Sequence, residues 1–91
     1  MKHQLQTALF GGSTLEVFDE VQQTWKAVAT ITTHHGEHTA VFHTAELYAL
    51  ESNGATLSEF EHSAALYYER FAVPFAKVIG KPKPVALTLF D

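Results

Sequence analysis

Trp25-Lys26-Ala27-Val28-Ala29-Thr30-Ile31-Thr32-Thr33-His34-His35-Gly36-Glu37-His38-Thr39-Ala40-Val41-Phe42 is the stretch on which the fold turns. Apolar and polar positions alternate along it, as in strands with one face on a core. The alternation breaks at His35-Gly36, where Gly36 offers the left-handed position of a tight turn. A two-residue turn there sets a register in which His34 opposes Glu37, Thr33 opposes His38, Ile31 opposes Ala40 and Ala29 opposes Phe42. Apolar then meets apolar on the face that also carries Trp25, so turn chemistry and pleat agree.

Upstream, the same period of two continues in Leu5, Thr7 and Leu9 and again in Leu15 and Val17, with Gln4, Gln6 and Glu16 between them. These read as two further strands. Gly11-Gly12 separates them and can supply the positive φ values of a primed hairpin turn. Asp19 to Thr24 is a polar connection to the third strand.

Near Thr44 the period changes to three and four. Thr44 suits the N-cap of a short helix through Ala45, Leu47, Tyr48 and Leu50, stopping at Ser52-Asn53-Gly54. Thr56-Leu57-Ser58-Glu59 is a capping box. The longer helix after it carries a stripe of Leu57, Phe60, Ala64, Tyr67, Tyr68, Phe71 and Phe75. Pro74 removes a helical hydrogen bond, which places the helix end near Val73. Gly80-Lys81-Pro82-Lys83-Pro84 reads as a stiff basic linker, and Val85, Leu87 and Leu89 alternate as in a last strand. The expectation is one α+β domain over 1–91. It comprises an antiparallel meander of about four strands, two helices packed on one face, and a C-terminal strand that returns to the sheet or extends from the body.

Composition narrows the function. The 91 residues are 46% hydrophobic and 18% charged, which is the balance of a folded chain. Six Lys and Arg against ten Asp and Glu leave a formal charge of −4, so general attraction to phosphate backbones is disfavoured. Without cysteine there is no thiolate nucleophile and no thiolate metal site, and the chain suits a reducing cytosol. No stretch approaches the roughly 20 apolar residues of a membrane span, and the start lacks a signal-peptide core. A cytoplasmic protein with no membrane partner is expected.

Four of the six histidines fall between His34 and His43, with Glu37 among them. Imidazole and carboxylate form the ligand set of a zinc or nickel site, so His34, His35, Glu37 and His38 are the metal candidates. The register spreads them over both faces and the hairpin tip. His43 lies about 20 Å further along at roughly 3.3 Å per residue, so a complete site would need a second copy. No other cofactor is expected. Ser13 sits beside the expected Gly11-Gly12 turn, Glu59 and Glu61 sit at a helix start, and no Gly-rich phosphate loop occurs. The motif reading is therefore of a protein that is not an enzyme.

Two local resemblances concern partners. Trp25 on a strand, a hairpin, then Phe42-His43-Thr44-Ala45-Glu46 opening a helix is similar to the arm-binding domains of phage integrases, which lay a three-stranded sheet in a DNA groove. Their exposed sheet face is basic, whereas Glu16, Glu20 and Lys26 are the charges available on the corresponding face here. The tail Ala86-Leu87-Thr88-Leu89-Phe90 resembles the pentapeptide by which bacterial replication proteins dock on the sliding clamp, without its first glutamine.

The functional expectation is a small non-enzymatic interaction module, an inhibitor or adaptor that sterically occupies a surface of a larger protein partner. In size and composition it is similar to small phage or mobile-element inhibitors, anti-CRISPR proteins among them. Glu16, Asp19, Glu20 and Glu37 are the charges expected to meet a basic partner surface, and Tyr48, Tyr67, Phe75 and Phe90 the expected aromatic anchors. An open edge strand would also permit a homodimer. A His34–His38 metal-binding domain is the alternative, and a sheet that binds DNA is the third reading.

Overall fold

The structure, a computed structural model, describes residues 2–7 and 12–81. Six strands and one helix follow in the order β1 (His3–Thr7), β2 (Ser13–Asp19), β3 (Thr24–His34), β4 (Glu37–Phe42), β5 (Ala49–Glu51), α1 (Leu57–Arg70) and β6 (Lys77–Gly80). Each strand pairs antiparallel with its neighbour in the chain, so the sheet order is also the sequence order. The fold is α+β, with one helix and six strands among the described residues where a meander of about four strands, two helices and a C-terminal strand were expected.

The central hairpin has the expected register throughout. His34 pairs with Glu37, Thr33 with His38, Ile31 with Ala40 and Ala29 with Phe42. His35 and Gly36 both take positive φ, at 50° and 78°, which is what a two-residue turn matched to strand twist requires. Leu15, Val17, Ala29, Ile31, Ala40, Phe42 and Leu50 line the inner face of the sheet, and α1 closes over them with Phe60, Ala64 and Tyr67.

The placement of Trp25 differs from expectation. Leu15 pairs with Ala29, but the next residue, Glu16, pairs with Ala27, so Val28 is an extra residue in β3. Such a bulge shifts the alternation by one. Lys26 now lies opposite Val17 on the inner side, while Trp25 lies opposite Phe18 on the outer side. The two rings meet edge-on at 5.3 Å, and Trp25 remains 40% exposed.

The segment after Thr44 is not a helix. It makes one tight turn, in which the Leu47 amide donates to the Thr44 carbonyl, and then becomes β5. A helix this short is marginal by itself, whereas Leu50 gains a fully buried place opposite Ala40 by pairing with β4. The capping box is present as read, with the Glu59 amide donating to the Thr56 hydroxyl at 3.2 Å and the Thr56 amide donating to the Glu59 carboxylate at 3.0 Å. The helix stops at Arg70, three residues earlier than expected, and Phe71 caps it in the left-handed region at φ 59°. Val73 precedes a proline and is disfavoured in helical geometry, and the hydroxyl of buried Ser63 accepts the Phe75 amide at 2.9 Å instead. The chain thus turns back along α1 and forms β6, a strand absent from the sequence expectation. The expected final strand over 85–90 lies outside the described residues, as does Gly11 of the first turn.

Phe60 has no exposed surface and stacks over the His38 ring at 6.2 Å. Phe60→Ala is expected to lower unfolding free energy by about 3–5 kcal/mol, with the denaturant slope unchanged, as read from urea titrations.

Candidate functional site

The four expected acidic contacts do not form one surface. Glu16 sits on the outer face, where its carboxylate accepts from the Gln4 side-chain amide at 2.7 Å. Asp19 closes the β2–β3 turn by accepting the amides of Val21 and Gln22 at 2.9 and 3.0 Å, and Glu20 lies exposed in that turn. Glu37 stands at the opposite end of the sheet, beside the β3–β4 turn.

Glu37 is occupied structurally. Its carboxylate accepts the Ser52 hydroxyl and, more weakly, the Gly54 amide, while the Ser52 oxygen accepts the His38 amide at 3.0 Å. This clasp joins the start of β4 to the loop between β5 and α1. The Ser52 hydroxyl is the main reason that the Glu37 carboxyl titrates below its ordinary value, with the amides of Gly54 and Asn53 and the nearby His38 adding to it.

The histidine candidates for a metal are likewise held apart. His34 and Glu37 share the outer face, the rings of His34 and His35 lie 4.0 Å apart at the tip, and His38 lies on the inner side with Nδ1 2.7 Å from the Thr33 hydroxyl. Among the described residues, no three His, Asp or Glu side chains gather as a metal site would require.

A cleft of about 500 Å³ opens where β2 and β3 approach the end of α1. Val17, Leu47 and Tyr68 form part of its wall, and Lys26, which the β3 bulge places on the inner side, lines it together with Asp19 and Glu69. One oxygen of Asp19 already serves the turn, and Glu69 contacts Arg70 at 3.3 Å. The cleft therefore offers mixed charge.

Exposed apolar side chains include Val21, Trp25, Val41 and Leu57, and a further group at the end of α1, the returning segment, β6 and the turn before β5. Phe71 is 68% exposed, and Phe75, Val78, Ile79 and Tyr48 are each more than 40% exposed. The Phe71 ring meets Tyr67 edge-on at 5.5 Å, the Tyr67 hydroxyl accepts the Tyr48 amide at 2.8 Å, and Lys81 Nζ lies 5.6 Å above the Tyr48 ring. Tyr48 and Phe75 are thus at the surface as expected of anchors. Tyr67 is instead a buried core residue at 3% exposure, and Phe90 lies outside the described residues.

Sequence reasoning missed Phe71, Val78 and Ile79 as surface residues. Phe71 continues the helical stripe by spacing, and only the early helix end turns it outward. The adjacent β-branched residue pair Val78-Ile79 was the available signal for β6.

No helix among the described residues is long and apolar enough to cross a membrane. No protein-family profile, curated protein or solved structure matches this chain.

The Glu37 clasp yields a signed expectation. Because its folded pKa is depressed, the stabilisation is present above the unfolded value of about 4.5 and fades as pH falls through the lower folded value. Ser52→Ala is expected to return the Glu37 titration toward that ordinary value, followed by NMR. It should also cost about 1–3 kcal/mol, since the His38 amide loses its acceptor.

Proposed function

We propose that this chain is a non-enzymatic protein-interaction module, an inhibitor or adaptor that works by covering part of a larger protein. The observation that carries this reading is Phe71. A large aromatic is 68% exposed, and it occupies the left-handed cap position that ordinarily favours glycine. Both choices disfavour the isolated protein, the first by leaving apolar surface in water and the second by about 1–2 kcal/mol of backbone strain. Residues that break local rules in this way concentrate where a surface serves something outside the fold.

The neighbouring side chains support the reading. Tyr48, Phe75, Val78 and Ile79 extend the apolar margin beyond Phe71, and aromatic anchors of this kind dominate binding energies when a partner buries them. The mechanism is steric: the margin seats on the partner and blocks or bridges what lies beneath it. The chain needs no reactive group for this.

Phe71→Gly separates function from folding. Glycine relieves the cap strain but adds unfolded-chain entropy, so stability is expected to stay within about 1 kcal/mol. The tagged wild-type protein should co-purify with one stoichiometric partner from its source cells, identified by mass spectrometry. Phe71→Gly should lose that partner while its thermal midpoint moves by less than about 8 °C. Retention of the partner by the variant would remove Phe71 from the interface and overturn the reading.

A further inference from the structure

We infer that β6 is the edge to which an extended acidic segment of the partner adds as a further strand. This rests on the interaction reading above and specifies the partner's chemistry. The described sheet has two outer strands, and they differ. β1 presents Gln4, Gln6 and Thr7, and it is tied to α1 by His3, whose Nδ1 lies 2.7 Å from the Glu61 carboxylate. β6 pairs only with β5 among the described residues, and it leaves Val78 and Ile79 exposed at 42% and 47%. Ile79 is the extra residue of a second irregularity, because Ala49 pairs with Gly80 while Leu50 pairs with Val78.

The segment that carries β6 is cationic in sequence, with Glu69 and Glu51 as the carboxylates beside it. From Arg70 to Lys81 the sequence holds Arg70, Lys77 and Lys81 and no carboxylate, in a protein of formal charge −4. Arg70 is 79% exposed and contacts the Glu69 carboxylate at 3.3 Å, so the cations at β6 itself are Lys77, opposite Glu51 across the strand pair, and Lys81, which stands over Tyr48. A cationic, apolar strand edge complements an anionic, apolar strand. Lysine on an edge ordinarily discourages strand addition, and an acidic segment converts that barrier into attraction.

A polypeptide fits this edge better than a nucleic acid does. Strand addition uses main-chain donors and acceptors at the spacing of an extended peptide, and pockets for alternate side chains supply specificity. Lys77 shares the outer face with Glu51, and Val78 shares the helix side with Leu50. The incoming segment should therefore alternate acidic and apolar residues, with its acidic side beside Lys77.

The test uses the full chain and a labelled peptide of about ten residues that alternates Glu with Val, long enough to span a strand of ordinary length. Fluorescence anisotropy should show it binding more tightly than the peptide with Lys in place of Glu, and amide exchange should slow at Lys77–Gly80. Lys77→Gln with Lys81→Gln, which removes the charges without setting a carboxylate opposite Glu51, should weaken the Glu peptide several-fold and abolish its advantage over the Lys peptide, with the thermal midpoint retained. Equal affinity for both peptides would overturn the inference, as would protection confined to β1. So would competition by a short DNA duplex for the same amides, or β6 protection in a self-associated dimer without peptide. If the peptide results fail while Phe71→Gly still loses the natural partner, the acidic-strand inference falls and the interaction reading stands.

Discussion

Among the described residues one helix lies against six strands, and its width cannot cover them. An α-helix with its side chains is about 10–12 Å across, whereas six paired strands span roughly 24 Å at their ordinary spacing. Helix α1 comes closest to β1, β2 and β4, and there Phe60, Ala64 and Tyr67 complete the core over Leu15, Ile31, Ala40 and Phe42. Among the described residues no helix packs on the outer face, as antiparallel sheets allow.

Two buried serines hold this arrangement in place. Ser52 links Glu37 and the His38 amide to the loop that launches α1, and Ser63 takes the Phe75 amide where the chain turns back from α1. Both are fully buried, so each hydroxyl fixes one end of a connection by a bond that water cannot replace. The first sets where the helix begins relative to the central hairpin. The second sets where Phe75 and β6 lie relative to the helix. Charge follows the same division: cations gather from Arg70 to Lys81, while Asp19 and Glu20 stand at the β2–β3 turn and Glu37 at the opposite end of the sheet. The acidic surface suggested by composition is therefore divided, and the margin with the exposed aromatics carries Arg70, Lys77 and Lys81 beside Glu69 and Glu51.

Local chemistry was legible in the chain. The His35-Gly36 turn and the pairing from Ala29–Phe42 to His34–Glu37 depend on neighbours in sequence, as does the Thr56–Glu59 capping box, and all are present. Of the candidate site, Tyr48 and Phe75 were legible as exposed aromatics, because each lies at the limit of an apolar stripe. Tyr67 was not, since its burial depends on Phe42 and on the Tyr48 amide, neither of which is near it in sequence.

By itself, then, the amino-acid order determined the α+β class, the central register, the start of the helix and the absence of thiol chemistry, because period, turn residues, caps and composition act over a few residues. Only the tertiary structure decided that Val28 would bulge and turn Trp25 outward, that Thr44–Leu50 would give up a helix for β5, and that Phe71 would cap α1 in a strained, exposed position. Those outcomes depend on competition between local preference and pairing across the sheet. A buried Leu50 opposite Ala40, or an amide satisfied by Ser63, outweighs what a short segment would do alone.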